Sequence, residues 1–262
     1  MGLQTACRIF TTEKLRLLHT SHRGASKHTA LKEKQQIGSL FDRIARRYDL
    51  LNHLLSLNVD RRWRRRAVAA LSPVEAGQRL LDVATGTADL ALEIVRQGKA
   101  DCVLGVDLSE EMMKIGREKI HQAGRDEQIL LQRASALELP FEDDSFATVT
   151  CAYGVRNFAD LDQGLREMRR VLRPGGQLMI LEFSYPDNRL IAWGYDLYFT
   201  HILPRVGRLV SHDKTAYSYL NRSVKAFVWG RDMTDRLLAA GLSQAEYKTL
   251  SYGITTIYTA RK

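Results

Sequence analysis

Short apolar runs and amphipathic stretches alternate along the chain from residue 79 onward. Arg79–Val83 has the character of a buried strand and ends at the turn Ala84-Thr85-Gly86-Thr87-Ala88. Asp89–Gln97 then follows with helical spacing and stops at Gly98. Asp101–Asp107 predicts a second strand. Ser109 caps a helix reaching Ala123, with Glu110 and Glu111 in its favourable first turn. Ile129–Arg133 and Ser145–Ala152 predict strands three and four. Leu161–Leu172 predicts a helix that stops at Arg173-Pro174-Gly175-Gly176, and Gln177–Phe183 predicts a fifth strand. Such a run implies an α/β fold with a mostly parallel, doubly wound sheet. A helix over Asp232–Ala240 ends at Gly241. Ala245–Leu250 and Ile254–Ala260 then alternate as an antiparallel hairpin around Ser251-Tyr252-Gly253.

Two stretches break this rhythm. Residues 37–71 look helical, with Leu40, Phe41, Ile44 and Tyr48 at helical spacing. A second helix runs through Asp60–Val68 with Asp60 as its N-cap, and Pro73 separates it from the sheet. This basic, amphipathic pair suits a membrane face, a cover over a ligand, or plain packing on the sheet edge. Residues 184–229 are rich in aromatics, among them Tyr185, Trp193, Tyr195, Tyr198, Phe227 and Trp229. They predict a mostly helical insert.

Composition narrows the class. At 262 residues with 45% hydrophobic content, the chain holds one large domain or two small ones. No apolar run approaches the roughly 18 residues that span a bilayer. The three cysteines lie far apart without CxxC or Cys/His ligand spacing, which suits free thiols in a reducing compartment. No HxxxH pair occurs, so no metal is expected. The net charge of +9 is concentrated: residues 1–36 carry seven Lys/Arg against two acids, and residues 37–70 carry eight Arg against three acids. Such an arm is either a solvated extension or an attraction to anionic lipid or nucleic acid. Residues 1–35 are expected to be a disordered basic arm, as an organelle transit segment or a bacterial extension. Residues 36–262 are expected to be one domain, with 36–72 as a helical cap and 184–229 as the insert.

Candidate chemistry clusters at the strand ends. The turn after strand one has a single glycine, Gly86, and is not GxGxxG, which argues against a dinucleotide pyrophosphate on the helix. A smaller group, such as the amino-acid end of S-adenosyl-L-methionine (AdoMet), needs less room there. Asp107 ends strand two, 25 residues after Asp82, where a carboxylate accepts hydrogen bonds from both ribose hydroxyls. Ser135-Ala136, just past strand three, lets the backbone meet an adenine ring. Strand four runs into Tyr153-Gly154-Val155-Arg156-Asn157, where Arg156 and Asn157 interrupt an apolar pattern. They serve either the transferred group or, for Arg156, a structural ion pair.

The Asp82–Asp89 loop, Asp107, Leu139-Pro140-Phe141 and Leu172–Gly176 together resemble class I AdoMet-dependent methyltransferases, with a Rossmann-like fold. Three longer segments resemble the ubiquinone/menaquinone biosynthesis C-methyltransferase family. They are Tyr48–Asn52 with Asp60–Arg64, Tyr153–Asn157, and the 205–229 segment around Asp213–Leu220. The similarity covers residues 36–262. It implies AdoMet as cosubstrate, held by Gly86, Thr87, Asp107, Ser135 and Ala136, with Tyr48 and Asn52 closing over it. Many members have Ser at the position of Ala152, so any contact there must come from backbone or water. Ala88 likewise replaces a common glycine. Arg156 and Asn157 are the implied catalytic residues, Arg156 stabilising a developing quinolate and ordering a water. The implied substrate is a prenylated quinol. The C-terminal Tyr252–Tyr258 resembles menaquinone-pathway members, and the ubiquinone branch is the alternative. A cytoplasmic protein resting on the inner face of the membrane is expected, or a mitochondrial matrix one if residues 1–35 are a transit segment. Other small-molecule or lipid methylation on the same fold remains a rival. An RNA-binding module is a second, although no aromatic-interleaved basic stripe supports nucleic acid as partner.

Overall fold

The computed structural model describes residues 56, 58–186, 188–198, 200 and 223–262. The N-terminal arm, the helix expected over 37–55 with Tyr48 and Asn52, and residues 205–222 of the aromatic insert lie outside the described residues. Seven strands form one sheet in the order β3-β2-β1-β4-β5-β7-β6. They are β1 (Leu80–Val83), β2 (Val103–Asp107), β3 (Ile129–Arg133), β4 (Phe146–Ala152), β5 (Leu172–Phe183), β6 (Ser243–Leu250) and β7 (Thr255–Arg261). The first five are parallel, and β7 lies antiparallel between β5 and β6. The expected parallel sheet with an antiparallel end is thus the fold that forms.

Both faces of the sheet are covered, which is why its central strands are apolar almost throughout. Side chains alternate between two cores. Leu81, Val83, Val149, Cys151, Leu178 and Ile180 face one core, with α4 (Leu161–Val171) and α6 (Arg231–Ala239) contributing Leu165, Met168, Met233 and Leu237. Leu80, Val103, Met179 and Leu181 face the other. There α1 (Val59–Ala69) contributes Trp63, Ala67 and Val68, α2 (Asp89–Arg96) contributes Ile94 and Val95, and α3 (Glu110–Gln122) contributes Ile120. The chain winds from β1 to β2 and β3, then returns past β1 to β4 and β5. The direction of winding therefore reverses between β1 and β4, and a crevice opens at their carboxyl ends.

Helix α1 packs on the sheet through one face. Arg61, Arg62, Arg65 and Arg66 are exposed while Trp63 and Arg64 are buried. Trp63 donates from Nε1 to Ser251 Oγ at 2.8 Å and meets Phe183 edge to face. Burying such a side chain stabilises by roughly 2–3 kcal/mol. Asp60 is not the N-cap expected of it. Asn58 takes that position in left-handed backbone (φ 61°). Asp60 lies inside the first turn, 2% exposed, where its carboxylate accepts from Ser56 Oγ and from Arg64 one turn on. The helix before Arg173–Gly176 stops as expected, at Val171, but the strand after it begins earlier than the expected Gln177. Strand β5 starts at Leu172, opposite Phe146, and Gln177 pairs with Thr148, so the four residues between bulge out of the ladder. Among the cysteines, Cys151 is free and buried. Cys102 is disulfide-bonded, which corrects the expectation of three free thiols, because separation along the chain does not report proximity in the fold; Cys7 lies outside the described residues.

Candidate active site

The crevice at the switch point is a cleft of about 770 Å3, counting its open mouth. Each wall comes from the end of a strand. Ala84 and Gly86 follow β1, Asp107, Leu108 and Ser109 follow β2, and Ala134 to Leu137 follow β3. Ala152, Tyr153 and Gly154 end β4, and Asn157 to Ala159 close that side. Of the residues singled out from the sequence, the cleft brings together Gly86, Asp107, Ser135, Ala136, Ala152 and Asn157. Thr87 and Arg156 stand behind its wall, and Tyr48 lies outside the described residues. Met112, Leu137 and Phe158 also line the cleft and were not foreseen. Met112 carried a usable signal, being one turn into a Ser109-capped helix beside a strand end; its amide donates to Ser109 Oγ at 3.2 Å.

The turn after β1 has an unusual backbone. Ala84, Gly86 and Ala88 all adopt left-handed φ, at 54°, 55° and 65°. An alanine in that region costs roughly 1–2 kcal/mol relative to glycine. Packing holds Ala88 there. It is fully buried, and Gly116 of α3 leaves room for it, since a Cβ on Gly116 would stand 3.3 Å from the Ala88 methyl. The next helix, α2, has no side-chain cap, so its first amide donors remain for water or ligand.

Charged groups fix the turn from several sides. Asp107 accepts the Gly86 amide at 2.8 Å with one oxygen and the Ser109 amide at 2.9 Å with the other. Asp82 lies beneath, 1% exposed, accepting from Thr85 Oγ1 at 2.7 Å and Thr150 Oγ1 at 2.8 Å. Burial pushes its carboxyl up to about 7, overcoming the two hydroxyls, and the nearby Asp107 charge adds to the shift. Burial and the Asp82 charge likewise raise the Cys151 thiol.

On the far wall, Arg156 belongs to a buried ion pair. Its guanidinium donates to Glu182 Oε1 at 2.7 Å and to the Tyr153 carbonyl at 2.6 Å, with side chains 3% and 0% exposed. Glu182 also accepts the Phe183 amide at 2.8 Å. Burial raises the Glu182 carboxyl, and the Arg156 charge opposes that shift. Arg156 thus ties the strand end to β5, and Asn157, next in the chain, faces the cleft.

A family model described as the ubiE/COQ5 methyltransferase family matches residues 28–262. The chain belongs to this family. A Bacteroides fragilis relative named demethylmenaquinone methyltransferase is 43% identical over 231 residues, covering 88% of this chain and 94% of its own. A Geobacter sulfurreducens relative named ubiquinone/menaquinone biosynthesis C-methyltransferase UbiE is 45% identical over 229 residues, covering 87% of this chain and 89% of its own. Among solved structures, the [4+2]-cyclase SpnF aligns with a TM-score of 0.65 at 18% identity, covering 87% of this chain and 96% of that one. Phosphoethanolamine N-methyltransferase 2 of Haemonchus contortus, solved with AdoMet, aligns with a TM-score of 0.57 at 16% identity, covering 77% and 52%. At such identities the structural likeness shows the fold alone. Family membership makes the protein an AdoMet-dependent methyltransferase.

The residues present fit that cosubstrate. A carboxylate offers several acceptor sites, so Asp107 suits ribose hydroxyls while also holding the Gly86 and Ser109 amides. Ala134, Ser135 and Ala136 leave the backbone open beside the apolar Met112 and Leu137, a slot suited to an adenine ring. A Cβ on Gly86 would stand 3.3 Å from Met112 Cε, so the turn is kept bare where the ligand must pass.

Proposed function

We propose that this protein methylates a ring carbon of a prenylated quinol, converting demethylmenaquinol to menaquinol with AdoMet as donor. The observation that carries this reading is the 43% identity to a demethylmenaquinone methyltransferase over nearly the full length of both chains. The corresponding ubiquinone step is the second reading, favoured by the double name of the Geobacter relative. When bound, AdoMet supplies a methyl group activated by its sulfonium. Gly86, Asp107, Ser135 and Ala136 hold the cosubstrate, and Asn157 orients the acceptor's ring hydroxyl at the cleft mouth. A guanidinium with pKa above about 12 is a poor proton acceptor, and this one is shared with Glu182. Arg156 therefore acts by holding the Tyr153–Asn157 turn. Tyr48 and Asn52 close over the cosubstrate, and Thr87 fixes the loop from behind.

The acceptor is lipid-borne, so the protein works at a membrane surface from the cytoplasmic side. Helix α5 (Arg189–Leu197), which follows β5 in the chain, supports this. It exposes Leu190, Trp193 and Leu197 at one-turn spacing, 75%, 65% and 41% accessible. Mass spectrometry of host quinones after loss of the protein tests the substrate. Accumulated demethylmenaquinone is expected, and unchanged menaquinone with accumulated ubiquinone precursor overturns it in favour of the second reading. Arg156→Ala should cut turnover more than about threefold at unchanged AdoMet affinity, with partial recovery in Arg156→Lys; turnover within threefold removes Arg156 from the mechanism.

A further inference from the structure

Behind the turn, away from the cleft, runs a chain of alternating charges linking three elements. It begins at the start of α1, where Ser56 Oγ, ahead of the helix, donates to Asp60. One Arg64 nitrogen, Nη2, contacts Asp60 Oδ2 at 2.6 Å and Asp89 Oδ2 at 3.0 Å. The other Asp89 oxygen accepts from Lys119 Nζ of α3 at 2.6 Å. The same ammonium donates to Thr87 Oγ1 at 3.0 Å. Arg64 is 9% exposed, while its four arginine neighbours on α1 face solvent. Thr87 and Asp89 flank Ala88, the buried left-handed residue where the turn becomes helix α2.

We propose that Arg64 and Lys119 are positioning residues for AdoMet, holding the Thr85–Asp89 turn in its binding geometry from the side opposite the ligand. The turn needs such ties because Ala84 just before it and Ala88 within it are left-handed alanines, which do not favour that backbone when left alone. Asp107 holds the front through the Gly86 amide. Lys119 and Arg64 hold the back through Thr87 and Asp89. Because Arg64 sits on α1, the anchoring of that helix by Trp63 becomes part of the cosubstrate site. The charges alternate in sign along the chain, so removing one cation leaves a partly buried Asp89 with a single partner and frees the helix start to shift. Movement there is transmitted to Gly86, two residues from Ala88, and so to the cleft wall. Neither Arg64 nor Lys119 lines the cleft. Their contribution is therefore to binding and not to the transfer itself.

The test is calorimetric binding of S-adenosylhomocysteine to the full chain, which needs no acceptor and is therefore independent of the quinol assignment. Arg64→Met and Lys119→Met are each expected to weaken binding about tenfold or more, the loss typical of a charge-assisted hydrogen bond. Turnover at saturating AdoMet should stay within about threefold of the unaltered protein. Arg64→Lys should recover most of the affinity, since both ion pairs of Arg64 run through one nitrogen. Arg64→Met combined with Asp89→Asn should weaken binding less than the product of the single effects. Binding within about twofold in both methionine variants, with only the melting temperature lowered, overturns the proposal. Should Arg64→Met fail to fold, Lys119→Met decides alone, because Lys119 is 26% exposed and its loss leaves the Asp60–Arg64 pair intact.

Discussion

Asp82→Asn should flatten the dependence of stability on pH between about 4 and 8. The carboxyl is fully enclosed beneath the cosubstrate turn, and burial raises it from an ordinary 3.8 to about 7. A difference of about 3 units corresponds to roughly 4 kcal/mol at about 1.4 kcal/mol per unit. The sign follows from proton binding. Between those two values the folded protein keeps a proton that the unfolded chain has released. Stability from this group is therefore fully present below the unfolded value and lost as pH rises through about 7. From pH 5 to pH 8 the loss amounts to about 3 kcal/mol. An Asn carboxamide does not titrate. Its oxygen accepts from one threonine hydroxyl, and its amide donates to the oxygen of the other. The neighbouring titratable groups, Asp107 and Cys151, remain in both proteins and largely cancel in the comparison. Urea unfolding followed by tryptophan fluorescence at pH 5, 6, 7 and 8 gives the stability of each protein, with Trp63 buried against the sheet as reporter. The stability of Asp82→Asn relative to the unaltered protein should rise by about 3 kcal/mol across that range. If the two curves run parallel within about 0.5 kcal/mol, Asp82 is not a buried, proton-binding carboxyl and the reasoning fails.

Three further perturbations probe other parts of the site. Glu182→Ala leaves the Arg156 guanidinium buried without its counter-charge and should cost about 3–5 kcal/mol, lowering the melting temperature by roughly 6–20 °C; a shift under about 2 °C by scanning calorimetry contradicts the pairing. Asp107→Asn places an amide donor against a backbone N–H and withdraws a charged acceptor. The S-adenosylhomocysteine dissociation constant should rise about 10- to 100-fold, and an unchanged value removes Asp107 from the ribose role. Gly116→Ala sets a methyl 2.9 Å from Leu131 Cδ1 and 3.3 Å from the Thr87 carbonyl carbon. It should destabilise by about 1–3 kcal/mol in chemical denaturation, and no loss means that the Ala88–Gly116 contact is looser than described.

Much of the fold was readable from local pattern. Strand β3 occupies the predicted Ile129–Arg133, and Ser109 caps α3 as expected. Strand β2 begins two residues later than predicted, at Val103. The departures have local causes that periodicity does not report. A four-residue bulge keeps strand pairing on both sides, so Arg173–Gly176 reads as a stop although the ladder resumes beyond it. Asp60 sits where a cap belongs, but its partners lie four residues away on either side. That Asp107, Ser135, Ala136, Ala152 and Asn157 share one cleft was legible because a parallel sheet puts every strand end at one edge.

By itself the sequence determined the strands, the helices, their order and the edge at which ligands gather. Those properties follow from short apolar runs, helical periodicity and turn residues over a few positions, and a sheet covered on both faces makes its central strands apolar on both sides, so they read as continuous runs between turn signals. Tertiary structure alone decided which of five arginines on α1 turns inward, that Arg156 pairs with Glu182 and not with the cleft, and that Thr87 meets Lys119 behind the wall. Those choices join residues 25 to 32 positions apart, on elements that meet only once the sheet and its helices have packed. A buried charge finds its partner only once that packing has closed, because its strength comes from the exclusion of water, which no stretch of chain achieves alone.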